Sequence, residues 1–236
     1  MAYYIGDWYA RLFSTDNVVK GLHADSIRKE IGGRQILNDI FLSCQKGEII
    51  GLLGRNGSGK STLLQVIFGS VGADHKYVAI DGKKVDTLFE SRKYIQYLPQ
   101  DDFLPNHISL KNIICCFCTK EKAAGLLVQP LIHAFLHKKV AELSGGEKRI
   151  FEVFLLLYST APYLLFDEPF NGISPLHTEL LKELIQTQGT DKGIIVTDHS
   201  YENVLAIASR VILLDNGNTR LINNRQELVD YGYLPR

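Results

Sequence analysis

The 236-residue chain has little of several features that would place it in a specialised class. Its 26 basic and 26 acidic residues cancel to a formal net charge of zero, so charge gives no support for nucleic-acid binding through a basic face. The longest mostly apolar stretch, residues 153–166, is interrupted by Ser159, Thr160 and Pro162 and is too short to span a bilayer. The first residues show no basic segment leading into an apolar run, so we expect no secretory signal.

Cysteine is also scarce, and its placement does not favour a metal site. The four cysteines are Cys44, Cys115, Cys116 and Cys118, and no histidine lies close to them in sequence, which argues against a zinc site. We predict reduced thiols buried in apolar surroundings. Apolar residues, by contrast, make up 45% of the chain, which is enough to bury a sizeable core in one large domain or two small ones.

Apolar segments alternate with glycine turns and helical patterns along most of the chain. We predict strands over 36–43, 48–53, 77–80, 163–166, 194–197 and 211–214. A helix is predicted over 61–68, ending at Gly69, with hairpin turns at Asp81-Gly82 and Asn216-Gly217. Residues from about 102 to 154 are predicted to be mainly helical. Strands alternating with helices favour an α/β fold with a mostly parallel sheet covered on both faces.

A glycine-rich loop follows the predicted strand at 48–53. The segment Gly54-Arg55-Asn56-Gly57-Ser58-Gly59-Lys60-Ser61, followed by Thr62, matches G-x-x-x-x-G-K-[ST] at every fixed position. Glycines let backbone amides face phosphate groups without Cβ interference, and the start of the next helix adds partial positive charge. We expect Lys60 to reach the β- and γ-phosphates of a nucleotide and Ser61 to bind Mg²⁺. The strand–loop–helix context argues against an ordinary glycine turn.

Two further motifs lie at the ends of predicted elements: one supplies carboxylates, and the other supplies glycines whose backbone amides are not covered by side chains. The apolar strand at 163–166 leads into Asp167 and Glu168, at the strand end where ligands bind in open α/β sheets; a surface acidic turn is the weaker interpretation. Upstream, Leu143-Ser144-Gly145-Gly146-Glu147 predicts a helix capped by Ser144, with glycine amides that can approach an anion closely. Alone, this second motif is typical of an ordinary helix start.

Along the chain the glycine-rich loop comes first, the motif at 143–147 second and the acidic pair at 167–168 third. Together and in this order, the three motifs resemble the ATP-binding cassette (ABC) family, the nucleotide-binding subunits of ABC transporters. The resemblance covers about residues 22–222. It implies a RecA-like P-loop NTPase fold in an ATP-binding domain over 22–236, with an N-terminal antiparallel β subdomain and an inserted helical subdomain at about 102–154. In the family, two subunits enclose two Mg-ATP molecules. Each molecule lies between the glycine-rich loop (the P-loop) of one subunit and the signature residues of the other, here Ser144, Gly145 and Gly146.

The resemblance also implies partners, a location and single-residue roles. The partners are a second ATPase subunit, identical or different, and a separate transmembrane permease, on the cytoplasmic face of a membrane. Asp167 is implied to hold Mg²⁺ through water and Glu168 to act as general base. Gln100 matches the glutamine that senses Mg²⁺ and the γ-phosphate, and His199 the histidine that contacts the γ-phosphate. Residues 103–113 match the region of transporter contact.

Three positions depart from the family pattern. Ile31 stands where an aromatic residue usually stacks on adenine, which predicts weaker or less selective base binding. Ser174 replaces the usual aspartate in the segment after Pro169; it keeps hydrogen-bonding capacity but loses the charge, which predicts weaker communication between the two sites. In the helix after the signature, Phe154-Leu155-Leu156 replaces an alanine–arginine–alanine run.

Residues 1–21 form an aromatic-rich extension outside the resemblance. Two sets of residues fall at helical spacing: Tyr4, Trp8 and Leu12, and Ile5, Tyr9 and Phe13. Two interpretations stay open for this extension: a helix or strap that packs on its own domain, and a docking surface for a permease subunit or a second copy.

Three functional interpretations stay open at this point. The first is the energy-coupling ATPase subunit of a transporter, similar to those of branched-chain amino-acid import and lipopolysaccharide export. The second is a soluble ABC ATPase acting on a non-membrane partner, as in iron–sulfur cluster assembly. The third is a weakly hydrolysing or non-hydrolysing nucleotide-binding module, which the departures at Ile31 and Ser174 keep open. The transported substrate and the direction of transport are not encoded in any of these motifs.

Overall fold

A computed structural model describes residues 20–235. The helical spacing predicted for the N-terminal aromatic residues falls on residues 1–19, outside the described residues, and stays a prediction. The strands, in chain order, are β1 (Leu22–Ile31), β2 (Arg34–Cys44), β3 (Ile49–Leu53), β4 (His75–Ile80), β5 (Lys83–Lys84), β6 (Ile95–Leu98), β7 (Tyr163–Asp167), β8 (Gly193–Thr197), β9 (Arg210–Asp215) and β10 (Asn218–Ile222). The helices are α1 (Lys60–Phe68), α2 (Leu88–Ser91), α3 (Leu110–Phe117), α4 (Lys120–Leu127), α5 (Pro130–His133), α6 (Gly145–Leu157), α7 (Pro175–Gln188), α8 (Tyr201–Ile207) and α9 (Arg225–Asp230).

The strands form two sheets of different kinds. An antiparallel sheet has the order β2-β1-β4-β5, and a larger sheet has the order β10-β9-β3-β8-β7-β6. In the larger sheet all neighbours are parallel except β10, which pairs antiparallel to β9. Helices α3 to α6 lie between β6 and β7 in the sequence. The predicted fold class, a mostly parallel sheet with an antiparallel β subdomain and an inserted helical subdomain, is confirmed.

The larger sheet is covered on both faces, and the alternation of its side chains shows this directly. In β7, Leu164 and Phe166 belong to one apolar cluster, with the buried side chains of α6, whereas Tyr163 and Leu165 belong to a second cluster, with those of α1 and the antiparallel sheet. Strand β3, with five buried residues, divides in the same way between the two clusters. Burial on both faces explains why these strands are continuous apolar runs in the sequence.

The predicted turns are confirmed by their backbone conformations. Asp81 and Gly82 both have positive φ, 49° and 76°, as do Asn216 and Gly217, 47° and 75°, which is the geometry of two-residue hairpin turns that favour Asn-Gly and Asp-Gly. Gly69 ends α1 with φ 92° and donates its N–H to the carbonyl of Gln65. Four strands, β1, β5, β6 and β10, had no predicted range. The helices of the inserted segment run from Leu110 to Leu157.

The prediction of buried thiols holds for only one of the four cysteines. Cys44 is buried, but Cys115 and Cys116 are exposed and Cys118 is partly exposed. Helix α3 lies on the surface with Ile113 and Ile114 turned inward, so the neighbouring cysteines face solvent. Among residues 20–235, no helix has both the length and the apolar composition needed to cross a membrane.

One glycine at the start of β8 allows a close approach that an added methyl group would prevent. A Cβ atom at Gly193 would lie 2.7 Å from Cδ1 of the buried Tyr163 ring and 2.8 Å from the carbonyl oxygen of Gln45. We expect Gly193→Ala to lower the free energy of unfolding by about 2 kcal/mol, as overpacking in tight cores does, measured by urea denaturation. Gly72→Ala is the matched control, because a Cβ there meets no atom within 4 Å; equal stability losses in the two variants would contradict the packing argument.

Candidate functional site

The glycine-rich loop connects the C-terminal end of β3 to the N-terminal end of α1. Gly57 and Gly59 have φ values of 77° and 102°, which side chains disfavour. At Gly59 a Cβ atom would also lie 2.9 Å from the Ile36 side chain. The hydroxyl of Ser58 is buried and has no hydrogen-bond partner among the described residues. The loop therefore places backbone and a free hydroxyl at the positive end of α1, the arrangement that binds phosphate groups.

Lys60 is the first residue of α1, and its side chain folds back over this loop. Its Nζ donates to the carbonyl of Gly54 at 2.8 Å and to that of Arg55 at 3.3 Å. Burial lowers the pKa of Lys60, and the carboxylates of Glu168 and Asp167 act in the opposite direction. The structure therefore brings Lys60 and the predicted acidic pair into one electrostatic neighbourhood.

Asp167 lies at the end of β7 with 1% of its surface exposed. Its two carboxylate oxygens accept hydrogen bonds from the hydroxyls of Thr197, at 2.9 Å, and Tyr97, at 3.1 Å. Each oxygen keeps a further lone pair. Since Thr197 ends β8 and Tyr97 lies in β6, both neighbouring strands fix the orientation of this carboxylate.

Glu168 follows Asp167 in a left-handed backbone conformation, with φ 55°. Its Oε1 lies 2.9 Å from Nε2 of His199, and its Oε2 accepts from the side-chain amide of Gln100 at 3.1 Å. The Glu168 side chain is 7% exposed, whereas that of His199 is 51% exposed. The predicted general base and the two side chains predicted to sense the γ-phosphate therefore meet at one point.

Burial raises the pKa of Glu168 above its ordinary value, while the nearby His199 and Lys60 lower it and Asp167 and Asp198 raise it further. Asp198 has a raised pKa for the same main reason, burial, although the N–H groups of Ser200 and Phe170 stabilise its charge. A carboxylate whose proton affinity has been increased in this way is a stronger base than an exposed one.

The signature residues lie at the start of α6, where Ser144 caps the helix as predicted. The Ser144 hydroxyl accepts the N–H of Glu147 at 3.3 Å, and the Glu147 carboxylate accepts the N–H of Ser144 at 2.7 Å, which together form a capping box. A Cβ at Gly146 would lie 2.9 Å from the carbonyl oxygen of Gly172, so the signature loop packs beside the segment after Pro169. The side-chain hydrogen bond of Ser144 is made within its own turn, and not with the glycine-rich loop.

The predicted metal ligands can be tested by their chemistry. Ser61, Gln100 and Asp167 offer hydroxyl, amide and carboxylate oxygens, the donor types that Mg²⁺ prefers. Ser61 is the second residue of α1, directly after Lys60, and the Gln100 amide is hydrogen-bonded to the residue next to Asp167. The residues present therefore fit a hard divalent cation.

Two charged residues of α6 that the sequence analysis did not single out lie beneath this site. Arg149 is 4% exposed and Glu152 is fully buried, and they form an ion pair of 3.3 Å. The Arg149 guanidinium also donates to the carbonyls of Pro99, Asp167 and Glu168. The available signal was Glu152, the one charged residue in the otherwise apolar run from Ile150 to Leu157, with the opposite charge of Arg149 three residues before it.

A second unpredicted contact joins the glycine-rich loop to the chain after α9. The Arg55 guanidinium donates to the carbonyl of Gly232 at 2.7 Å. The neighbouring Tyr233 packs edge-on against Tyr201, with ring centroids 6.3 Å apart. The residues just after α9 therefore support both the glycine-rich loop, 177 positions earlier in the chain, and the first residue of α8.

Comparison with known proteins identifies this arrangement. A family model described as ABC transporter matches residues 37–171, more than half of the 236-residue chain. The chain belongs to the ABC transporter family. As a member it is an ATPase and the ATP-binding subunit of an ABC transporter.

Individual relatives of this ABC ATPase cover nearly its whole length. It is 30% identical over 222 residues to the lipopolysaccharide export system ATP-binding protein LptB of Acidithiobacillus ferridurans, covering 89% of this chain and 92% of that protein. It is 29% identical over 211 residues to LptB of Escherichia coli K12, covering 84% and 88%. A solved ATP-binding subunit of an ABC transporter superposes with a TM-score of 0.79 at 21% identity, covering 92% and 95%, which shows the shared fold.

The departures from the ABC pattern occupy three different environments. Ile31 ends β1 and is 52% exposed. The Ser174 hydroxyl lies 3.2 Å from Nδ1 of His177, so part of its hydrogen-bonding capacity is used within its own turn. Phe154, Leu155 and Leu156 are all buried, and their apolar character is explained by packing in the core.

Restoring an aromatic side chain at Ile31 tests whether base stacking is weak in this ABC ATPase. Base–aromatic stacking contributes about 1–3 kcal/mol, and the lower end applies at this exposed position. We therefore expect Ile31→Tyr to tighten ATP binding by about 5- to 10-fold, measured by titration calorimetry. Ile31→Leu is the matched control for a change of shape without a ring. Equal dissociation constants for the two variants would show that the base does not rest on residue 31.

Proposed function

We propose that this chain drives a separate membrane permease, acting as a dimer with a second ATPase subunit on the cytoplasmic face of a membrane. The observation that carries the proposal is that the phosphate-binding and catalytic residues are separate from the signature residues of the same chain. Lys60, Asp167 and Glu168 lie together on the nucleotide side, whereas Ser144 and the signature glycines make their contacts elsewhere in the same chain. A second subunit would complete the site by placing its signature loop over the nucleotide.

The proposed roles follow from the positions of the side chains. Residues 54–62 bind the phosphates of ATP through backbone amides, and Lys60 neutralises phosphate charge. Ser61, Gln100 and Asp167 would hold Mg²⁺, which when bound neutralises charge on the transferred phosphoryl group. Glu168 removes a proton from the attacking water, with its carboxylate oriented by His199 and Gln100.

A groove on the helical segment is the proposed place of contact with the permease. It has a volume of about 550 Å³ and lies beside the predicted transporter-contact residues at the start of α3. It is lined by His107, Ile108, Ser109, Asn112, Cys115, Cys116 and Lys139. Gln100 precedes this region along the chain, so a movement at the nucleotide can reach the groove through the segment between them.

The test is affinity purification of the tagged full-length protein from detergent-solubilised native membranes, followed by mass spectrometry and an ATPase assay. We expect a stoichiometric multi-span protein whose presence changes the rate of ATP hydrolysis. A stoichiometric soluble partner, with no ATPase in the membrane fraction, would overturn the proposal in favour of an ABC ATPase that acts on a soluble assembly.

A further inference from the structure

The buried Arg149 connects α6 to two parts of the site that belong to different stretches of the chain. Its Nη1 donates to the Pro99 carbonyl at 2.7 Å, directly before Gln100. Its Nη2 donates to the carbonyls of Asp167 and, at 2.9 Å, Glu168, and its Nε reaches the Glu168 carbonyl at 3.2 Å. A planar guanidinium with five fixed donors can satisfy these acceptors at once, which a lysine ammonium cannot do with the same geometry.

The Glu168 carbonyl is an unusual group to hold, because the residue is in the left-handed backbone region with φ 55°. Residues other than glycine enter this region at a cost of about 1–2 kcal/mol. The Glu168 N–H donates to the Thr197 carbonyl at 3.0 Å, and Arg149 binds the carbonyl on the other side. Together with the N–H of Asn171, which donates to the same carbonyl at 3.3 Å, these contacts stabilise the backbone turn that directs the carboxylate towards His199 and Gln100.

Glu152, the ion-pair partner of Arg149, binds the chain on the other side of Gln100. Glu152 accepts the N–H of Phe103 at 3.1 Å while it pairs with Arg149. The residue before Gln100 and a residue three positions after it are therefore both bound to α6, the helix that begins at the signature loop. Lys148 adds an outer ion pair to Asp102, at 3.5 Å.

We propose that Arg149 is a positioning residue for ATP hydrolysis, which holds the backbone of Glu168 and thereby links the signature helix to the general base of the same subunit. The inference rests on the role of Glu168 in the proposed function. It assigns a task to α6 besides presenting the signature loop, because a displacement of α6 is transmitted directly to the carbonyls of Asp167 and Glu168.

The test compares Arg149→Met and Arg149→Lys in the full-length protein. We expect Arg149→Met to lower kcat by about 10-fold or more with KM for ATP within about 3-fold of wild type, because a misplaced base impairs the chemical step and not binding. Arg149→Lys should restore part of the loss, since it returns the charge and some donors but not the fork. All rates are measured well below the unfolding midpoint of each variant, determined by circular dichroism.

Lys192→Met is the matched control. Lys192 is 6% exposed and its Nζ donates to the carbonyls of Ser159 and Ala161, at 2.8 and 2.6 Å, beyond the far end of α6. We expect it to lower the unfolding midpoint while kcat stays within about 2-fold of wild type, because no group of the site is displaced. If Arg149→Met keeps the wild-type kcat, or loses activity only in proportion to unfolding as Lys192→Met does, the positioning role is wrong.

Glu168→Gln, assayed in the same series, separates the two assignments. If Glu168→Gln hydrolyses ATP at the wild-type rate, the general-base role itself fails. If Glu168→Gln is inactive and Arg149→Met is fully active, only the role of Arg149 fails.

Discussion

Replacing Glu168 with glutamine is expected to lower steady-state ATP turnover by about 100-fold or more, because general-base catalysis typically contributes about 10²–10⁴-fold. Glutamine has nearly the same shape and can still form hydrogen bonds with His199 and Gln100, so the site should stay assembled. It cannot accept a proton from water. ATP affinity should therefore change little, and the loss should appear in kcat.

Turnover is measured by phosphate release and ATP affinity by titration calorimetry. Glu183→Gln, at an exposed position of α7, is the matched control for loss of one negative charge and should hydrolyse ATP at the wild-type rate. Equal rates for Glu168→Gln and wild type would falsify the assignment of the general base.

Ser144→Arg is expected to abolish the ATP-driven association of two subunits. The Ser144 hydroxyl lies at the N-terminal end of α6 beside two glycines, where only small groups leave the backbone amides free to approach a phosphate. A long side chain fills that space. Association is measured by light scattering after size-exclusion chromatography, in the Glu168→Gln background so that bound ATP is retained.

The control for this variant separates bulk from helix capping. Ser144→Ala removes the cap, at a cost of about 1 kcal/mol, but adds no bulk, so it should still associate with ATP. If Ser144→Arg associates as readily as the Glu168→Gln parent, the proposed sandwich of two subunits is wrong.

Mixing two inactive proteins gives a sharper version of the same test. A mixed dimer of a Ser144→Arg chain and a Glu168→Gln chain carries both lesions in one site and neither in the other. We therefore expect clear turnover in the mixture, although each protein alone is inactive. No recovery despite mixed-dimer formation would mean that Ser144 acts on the nucleotide of its own chain.

The fold could be predicted largely because its signals are local. The strand at β3 is a continuous apolar run because both of its faces are buried, and the Asn216-Gly217 hairpin was predictable because both residues tolerate positive φ. Strand β6 was missed because its four residues, Ile95 to Leu98, include the polar Gln96 and the half-polar Tyr97. Exposure of Cys115 and Cys116 was also missed, because composition does not show which face of a short helix is turned outward.

Individual site residues could be predicted where a motif fixes the chemistry. The structure brings Lys60, Asp167, Glu168, His199 and Gln100 together as expected, and their catalytic roles remain predictions. The contacts of Arg149 could not be predicted, because they depend on three backbone carbonyls that are distant in sequence and have no residue signature. The same holds for Arg55 and Gly232, which only the folded chain brings into contact.

The place of β3 in the sheet also sets the order in which the protein can be completed during translation. Its two neighbours are β8 and β9, and residues 49–53 pair with residues from 194 onward and from 210 onward. The phosphate-binding loop leaves the ribosome long before these strands are synthesised, so β3 then has two unpaired edges that are prone to misassociation. A nascent chain therefore carries the whole P-loop sequence without an ATP site, and only synthesis of the last strands makes it competent to bind nucleotide.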